Sequence, residues 1–308
     1  MHRRVAVTCL TVLAAVFPPA ASASQFVDVV RSRTPVTLKV DRAGRAMVYY
    51  RKGNAARHVL VSGAVNARRP SRSVRQVRFR IDYSGGWRTT GQALWKAFPN
   101  SCGTYDGPGL PYLVAACRAP NGSYWAVQEW MVDQPNFGLP PWTVRQRSFS
   151  LRVSHWSVAP ARLEVYTDWI YSGRFHEVFG RATYLGRPVY GFASTPRGAP
   201  TDGYGRLLYL DTLGSAYGPG WRRENAFLPH RPTGVFCAGL YRHGGRGPGN
   251  GTHYRVTMVG PGVTPDVAVT VAGLHTFRRG NPADAAYEAR QNQILDRLAA
   301  GGRWCHRH

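Results

Sequence analysis

Short runs of alternating apolar and polar residues, separated by turns rich in glycine and proline, recur along most of this 308-residue chain. The run VTLKVD at 36–41 is the first clear example, and FRID at 79–82 is another. A period of two residues is the signature of a strand with one buried face. Many short strands joined by such turns predict a mostly β fold, in the form of antiparallel sandwiches or barrels.

The strand-like runs divide into two groups on either side of a segment that contains three prolines and no sustained period. We therefore predict an N-terminal β-rich unit over 24–135, a proline-rich linker over 136–148 and a C-terminal sandwich-like unit over 149–308. In this division the alternating run that begins at Phe149 opens the second unit.

A single long helix is predicted over residues 282–300, near the end of the chain. Asn281 is a suitable N-cap, a proline occupies the first helical position, and Asp284 favours the positive end of the helix dipole. Leu295 and Leu298 continue one apolar stripe along the helix. We expect this stripe to pack on the second β unit.

The first 23 residues have the pattern of a secretory signal peptide. Two arginines precede an apolar run at 5–17, and the small residues Ala21 and Ala23 are placed for cleavage. The apolar run is shorter than the roughly 20 residues that a membrane-spanning helix needs, and no later run is longer. The sequence predicts a secreted or extracytoplasmic protein without a transmembrane segment.

Four cysteines remain once the leader is removed: Cys102, Cys117, Cys237 and Cys305. An even number of cysteines in an exported chain favours two disulfides, for which three pairings are open. Cys102 and Cys117 flank one loop, and Cys305 follows a terminal helix that needs an anchor. We therefore predict the pairs Cys102–Cys117 and Cys237–Cys305.

Formal charge is +24, and lysine and arginine together number 40 against 16 acidic residues. Nearly all of the positive charge is arginine, which together with abundant glycine and proline is typical of a GC-rich bacterial genome, so solubility alone is one interpretation. Attraction to an anionic or carbohydrate-rich polymer is the other, with nucleic acid as a non-specific further partner. Alternation predicts outward basic side chains at Arg78, Arg80, Arg152 and Arg255.

Nucleophile elbows and zinc-binding helix motifs do not occur in the sequence, and we predict neither a metal site nor a cofactor. Carboxylate chemistry remains, as in glycoside hydrolysis. Asp202, Asp211 and Glu224 cluster in the central stretch, and Asp202 and Glu224 are the candidate catalytic pair. The structural alternatives are that Asp202 forms a turn and that Glu224 makes an ion pair with Arg222 or Arg223.

Aromatic and arginine side chains cluster in the central stretch at 163–225, beside glycine- and proline-rich loops. Rings held next to arginine suit stacking on sugars or bases. The candidate ligand-binding residues are Tyr204, Tyr217, Trp221, Arg222 and Arg223. The alternative is that these rings fill the open ends of a sandwich.

Three classes of function follow from these features. The first is a non-catalytic exported bacterial protein that binds a carbohydrate-rich or anionic envelope polymer through these loops. The second is an envelope glycan hydrolase, and the third is a secreted inhibitor or partner-binding protein that presents the loop between Cys102 and Cys117. His176 alternates with Phe175, so we expect His176 on a solvated strand face rather than in a catalytic role.

Overall fold

The computed structural model describes residues 24–30, 34–66, 77–131, 149–189, 207–215, 220–229, 233–240, 250–259, 264–300 and 305. Half of it is strand and 12% is helical, in four antiparallel sheets with one C-terminal helix packed on a sheet. This confirms the predicted mostly β fold. The predicted leader at 1–23 and linker at 136–148 lie outside the described residues.

The strands and helices are as follows. The first eight strands are β1 (Gln25–Val30), β2 (Thr37–Val40), β3 (Ala46–Lys52), β4 (Ala55–Gly63), β5 (Phe79–Asp82), β6 (Leu113–Arg118), β7 (Tyr124–Met131) and β8 (Phe149–Trp156). The next eight are β9 (Arg162–Ile170), β10 (Phe175–Tyr184), β11 (Arg187–Pro188), β12 (Leu207–Leu213), β13 (Trp221–Phe227), β14 (Val235–Leu240), β15 (His253–Val259) and β16 (Val267–Ala272). The helices are α1 (Trp87–Thr90) and α2 (Pro282–Ala299), with a 3-10 turn at Leu94–Lys96.

The first sandwich packs sheet 1, in the order β1-β8-β7-β6, against sheet 2, in the order β2-β3-β4-β5. Its core is apolar, and Val48 of sheet 2 and Trp125 and Val153 of sheet 1 have no exposed surface. Removing so much apolar surface from water is the main stabilising contribution of such a core, at about 25 cal/mol per Å². The alternating residues of both sheets therefore point inward as the sequence pattern predicts.

The second sandwich packs sheet 3 against sheet 4. In sheet 3, β10 pairs with β9 along one edge and with β14 and the short β11 along the other. Sheet 4 has the order β13-β12-β15-β16. Val178 and Phe236 of sheet 3 pack with Leu210 and Tyr254 of sheet 4 in a second, fully buried core.

Helix α2 covers the opposite face of sheet 3, as predicted. Asn281 caps it by accepting hydrogen bonds from two main-chain amides, and Leu295 and Leu298 pack on Phe179. The predicted end at residue 300 is one residue beyond the observed end. None of the helices in the described part of the chain is long and apolar enough to span a membrane.

Both disulfides have the predicted pairing. Cys102 and Cys117 lie 5.5 Å apart between their Cα atoms and join the loop before β6 to β6 itself. Cys237 and Cys305 lie 5.8 Å apart and tie the segment after α2 to β14.

One strand is in a different sheet from the one we predicted. The prediction placed β8 in the C-terminal unit, but β8 lies between β1 and β7 in sheet 1. The reason is that its inward residues Leu151 and Val153 complete the core of the first sandwich. The broader division of the chain into two units stays a prediction.

The two sandwiches contact each other through sheets 1 and 4. The side-chain amide of Gln128 in β7 donates to the carbonyl oxygen of Asp266 and accepts from its main-chain N–H, both at 2.9 Å. Phe79 of β5 packs against both cores. Side chains of sheet 1 also lie beside Arg223 and Arg255 on the outward face of sheet 4, where the candidate site lies.

Candidate functional site

Three charged side chains form a row across the outward face of sheet 4. Asp211 of β12 pairs in register with Arg223 of β13 and with Arg255 of β15. Its Oδ1 accepts from Arg223 Nε at 3.1 Å, and its Oδ2 accepts from Arg255 Nη2 at 2.8 Å. The exposed fractions are 0% for Asp211, 9% for Arg223 and 11% for Arg255. One carboxylate therefore fixes two nearly buried guanidinium groups.

A β-bulge sets the register of this row. Leu210 pairs with Asn225 while Asp211 pairs with Arg223, so Glu224 is the extra residue of β13. A bulge of this kind changes which side chains face each side of a strand. Arg223 thereby lies beside Asp211, and Glu224 accepts a hydrogen bond from Thr212 Oγ1 at 2.6 Å.

Aromatic rings lie under both guanidinium groups. The Arg255 guanidinium lies 4.3 Å from the ring centre of Trp221 and 5.3 Å from that of Tyr112. The Arg223 guanidinium lies 4.1 Å from the ring centre of Tyr209. Each contact combines stacking with a cation–π attraction of about 0.5–2 kcal/mol. The arginines are therefore held by rings as well as by the carboxylate.

A pocket of about 210 Å³ opens beside this cluster, between the two sandwiches. Sheet 1, together with Tyr112 immediately before β6, supplies aromatic, aliphatic and acidic side chains. Sheet 4 supplies the two arginines. The lining residues are Tyr112, Leu113, Val114, Glu129, Trp130, Phe149, Arg223 and Arg255. The rings of Tyr112 and Trp130 are 5.0 Å apart at a tilt of 53° and form one wall.

Tyr112 has an unusual backbone conformation at this wall. Its φ angle is +56°, which is rare for a residue with a bulky side chain. Its carbonyl oxygen accepts from the Glu129 N–H at 2.8 Å, which ties the turn to β7. Burial raises the pKa of the Tyr112 hydroxyl and the nearby Arg255 opposes that rise, so the hydroxyl stays protonated at neutral pH. Strained backbone of this kind is concentrated at functional sites.

The structure describes four of the predicted site residues. Trp221 and Arg223 lie on the same outward face, Arg222 donates to the Trp221 carbonyl oxygen at 3.0 Å, and Glu224 bonds to Thr212. The predicted residues outside the described ones are Asp202, Tyr204 and Tyr217. Their joint role with Trp221, in binding or in catalysis, stays a prediction.

The cluster also contains residues outside the predicted site, although Asp211 was one of the three carboxylates that the sequence placed in the central stretch. Asp211 is the one acidic residue in the run LLYLDTL, and a carboxylate in an apolar strand signals a cation partner nearby. Arg255 was predicted to face solvent, and that prediction is wrong because the first sandwich covers this face of sheet 4. Tyr112 and Trp130 carry no signal in the sequence that distinguishes them from core aromatics.

His176 was expected on a solvated face, and this expectation is also wrong. His176 is 2% exposed because its face of β10 points into the core between sheets 3 and 4. A hydrogen bond joins its Nδ1 to the hydroxyl of Tyr254, which is itself fully buried. Burial lowers the pKa of His176 to about 4, so its ring is neutral at pH 7.

Among the residues that the structure describes, no group of three or more histidine, cysteine, aspartate or glutamate side chains is arranged to hold a metal ion. The cluster itself offers oriented arginines, aromatic rings and carboxyl groups. No protein-family model and no curated protein sequence matches the chain.

Proposed function

We propose that the protein is a non-catalytic, exported bacterial binding protein for a carbohydrate-rich or anionic envelope polymer, and that one sugar unit of the polymer occupies the pocket between the sandwiches. The observation that carries the proposal is the aromatic wall of Tyr112 and Trp130 facing two fixed arginines. Two disulfides are typical of an extracytoplasmic compartment, which supports export.

The size and lining of the pocket favour a small, partly polar unit. Its volume is below the roughly 300–1,000 Å³ of clefts that hold drug-sized ligands, which limits the occupant to about one ring. Aromatic rings stack on the apolar face of such a ring, while arginines donate hydrogen bonds to its hydroxyl groups. A pocket with rings on one side and guanidinium groups on the other supports both contacts at once.

The pocket and the whole chain differ in net charge, and this difference assigns them different roles in binding. Arg223 and Arg255 are accompanied by the carboxyl groups of Asp211 and Glu129, so the pocket itself carries little excess charge. The whole chain has a formal charge of +24, which attracts polyanions over a long range and in a salt-dependent way. We propose that the net charge recruits the polymer and that the pocket selects a sugar unit within it.

A glycan hydrolase that uses Asp202 and Glu224 is the competing proposal. Glu224 accepts a hydrogen bond from Thr212 Oγ1 at 2.6 Å, which holds one of the two candidate carboxylates in place on β13. Release of reducing sugar that is lost in both Asp202→Asn and Glu224→Gln would establish hydrolysis. The third class, an inhibitor that presents the loop between Cys102 and Cys117, predicts a protein partner rather than a glycan.

Tyr112→Ala tests the binding proposal against a closely matched control. Tyr171 also has a positive φ angle, +54°, but is 65% exposed in the turn between β9 and β10. Alanine therefore meets the same backbone strain at both sites. We expect Tyr112→Ala to weaken binding of envelope oligosaccharides by about 1–3 kcal/mol, the range for stacking of bases on rings, and Tyr171→Ala to leave it unchanged.

Calorimetric titration with defined oligosaccharides measures this difference, and a salt series on the intact anionic polymer measures the contribution of charge. We expect salt to weaken binding of the polymer and not of a neutral oligosaccharide. Equal affinities of the two tyrosine variants for every glycan would rule out the pocket as the binding site.

A further inference from the structure

The outward face of sheet 2 carries several positive charges. The four strands of this sheet contain five lysine or arginine residues and one acidic residue. Alternation that buries Val48 and Val61 in the first core directs the neighbouring side chains along each strand to the opposite side. Three cations lie on that outward side, and a fourth belongs to the 3-10 turn that packs on it. These four residues form what we call the basic face: Lys39, Arg51, Arg80 and Lys96.

Aromatic rings hold the two lysines of the basic face in place. Lys39 Nζ lies 5.3 Å from the ring centre of Tyr49, and Lys96 Nζ lies 5.6 Å from that of Trp95. His58 stacks on Trp95 with ring centres 4.1 Å apart and an angle of 8° between the planes. The Tyr49 hydroxyl donates to the Trp95 carbonyl oxygen at 3.1 Å, which fixes the turn on the sheet. Ordered side chains lose less entropy when a ligand binds than mobile ones do.

Nearby carboxylates do not neutralise the basic face. Asp82 is the one acidic residue in the strands of sheet 2, and its oxygens accept hydrogen bonds from Ser84 and Thr89. Among the residues that the structure describes, none of the four cations forms an ion pair with a carboxylate. Three of the four are exposed, and Lys39 is half-buried. The basic face therefore presents positive charge to solvent.

We propose that the basic face binds a phosphodiester-linked segment of the anionic envelope polymer, at a site separate from the pocket. This inference rests on the proposed function, to which it adds the surface and the anionic group that recruit the polymer. Two of the three lysines in the chain belong to this face. An ammonium group is a compact point charge that binds phosphate oxygens from many directions, whereas a planar carboxylate is matched best by the fork of an arginine.

The arrangement of the rings favours a phosphate polymer without bases over a nucleic acid. Proteins that bind single strands offer open aromatic faces on which bases stack. Here His58 and Lys96 both lie over the ring of Trp95, and Lys39 lies over that of Tyr49. These rings position cations instead of offering faces to a base.

The basic face and the pocket lie on opposite sides of the first sandwich. The pocket is lined by sheet 1 where it meets sheet 4, and the basic face is on the side of sheet 2 that points away from sheet 1. Packed sheets are about 10 Å apart, so a polymer segment contacts the basic face without entering the pocket. The two sites can therefore be altered separately.

Two variants that lose the same number of positive charges test the proposal. The first replaces all four residues of the basic face by glutamine. The second replaces four exposed arginines of the second sandwich and of the segment that contains α2: Arg174, Arg279, Arg290 and Arg297. The probe is poly(glycerol phosphate), titrated at several salt concentrations. We expect the first variant to reduce the slope of log affinity against log salt concentration by up to roughly 3, because each lost phosphate contact removes about 0.7–0.9. The second variant should retain the slope.

A smaller variant covers the case in which loss of the lysines loosens the ring cluster. Arg51→Gln combined with Arg80→Gln leaves the lysines and their rings intact, and it should reduce the slope by up to roughly half as much. Surface substitutions of this kind change stability little, which the melting temperature verifies.

Equal losses in the two four-residue variants would show that net charge alone attracts the polymer, and would overturn the proposal. A larger effect of the basic face on binding of a polyuronate or of single-stranded DNA than on poly(glycerol phosphate) would overturn the choice of a phosphate polymer.

A neutral oligosaccharide separates this inference from the proposed function, and its binding should be the same in both four-residue variants. If the intact protein binds the oligosaccharide but both variants bind poly(glycerol phosphate) alike, the basic face is ruled out and the pocket stands. If the first variant alone loses poly(glycerol phosphate) and the intact protein binds no oligosaccharide, the basic face stands and the pocket is ruled out.

Discussion

Asp82 of the first sandwich and Asp211 of the second are both buried, but their carboxylates are stabilised in different ways. In the first sandwich, Asp82 accepts hydrogen bonds from the hydroxyl and main-chain N–H groups of Ser84 and Thr89, all within seven residues of it. In the second, Asp211 accepts from arginines that lie 12 and 44 residues away. The disulfides show the same contrast between local and long-range partners. The disulfide of the first sandwich joins residues 15 apart in sequence, and that of the second joins residues 68 apart.

The difference shows what each carboxylate is suited to do. Neutral donors hold Asp82 and shape the turn that follows β5, so its network is self-contained. Asp211 instead fixes two cations at the contact between the sandwiches, and both of those cations line the pocket. Asp211, whose partners depend on long-range register, thus positions side chains at the pocket, whereas Asp82, whose partners are local, stabilises its own loop.

Replacement of Asp211 has the largest expected effect. Asp211→Asn removes the carboxylate from between Arg223 and Arg255, and loss of one partner of a buried ion pair costs about 3–5 kcal/mol. Denaturant unfolding measures the loss. Asp82→Asn should cost less, since the donors around Asp82 are neutral and the amide oxygen still accepts.

The second variant for this test is Arg223→Met, alone and combined with Asp211→Asn. We expect Arg223→Met to destabilise the protein by itself but to restore stability partly in the double variant, because it removes one of the two cations left beside the asparagine. Strictly additive effects would show that Asp211 and Arg223 do not act as a pair.

The longer disulfide should contribute more to stability than the shorter one. Chain entropy predicts about 4.4 kcal/mol for a loop of 68 residues and about 3 kcal/mol for one of 15, and removal of a native disulfide typically costs about 2–5 kcal/mol. We therefore expect Cys305→Ala to lower the free energy of unfolding more than Cys102→Ala does. If Cys102→Ala lowered the free energy of unfolding more than Cys305→Ala, loop length would not explain the difference between the two disulfides.

The features of the fold that could be predicted from the sequence are the ones that neighbouring residues determine. Alternation predicts strands because each strand exposes one face, and Asn281 predicts the start of α2 because its side chain caps the first turn. In the turn between β6 and β7, Gly122 has a positive φ angle of +80°, a conformation that glycine adopts without strain. The sheet that contains β8 was not predictable in this way, since strand pairing depends on distant residues.

The candidate site depends on such distant pairings, so only part of it could be predicted. Trp221 and Arg223 could be recognised from the sequence because an aromatic residue lies within two positions of an arginine. Their neighbours Asp211 and Arg255 come from two other strands, and the bulge at Glu224 decides which of them meet. Tyr112 approaches from the other sandwich, and no local pattern indicates that approach.

The effect of acid on stability can be isolated at Asp82. Burial by itself would raise the pKa of Asp82, but the hydrogen bonds from Ser84 and Thr89 outweigh it and hold the pKa below the ordinary value of 3.8. Ionised Asp82 therefore stabilises the fold fully above that value, and this contribution is lost as the pH falls through the lowered pKa.

Asp82→Asn should cost about 1.5–3 kcal/mol at neutral pH, and the difference from wild type should shrink as the pH falls below about 3.8. Asp106→Asn is the matched control, because Asp106 pairs with Arg118 at a surface where both side chains are about half exposed. Surface pairs contribute about 0–1 kcal/mol, so the control should change little. A constant difference across the whole pH range would contradict the assignment of a lowered pKa to Asp82.

The smallest expected effect concerns Trp221, which lies under Arg255 but does not itself line the pocket. Trp221→Ala removes the ring and its cation–π contact, so it should cost about 0.5–2 kcal/mol of stability and allow Arg255 to move. Trp87→Ala is the matched control, because Trp87 is 61% exposed and belongs to the turn that Asp82 holds. If Trp221 supports the pocket, Trp221→Ala weakens oligosaccharide binding by up to about 1–3 kcal/mol, and Trp87→Ala leaves binding unchanged. A stability loss of about 3–5 kcal/mol without a change in affinity would instead identify Trp221 as a core residue and limit the binding surface to Tyr112 and its neighbours.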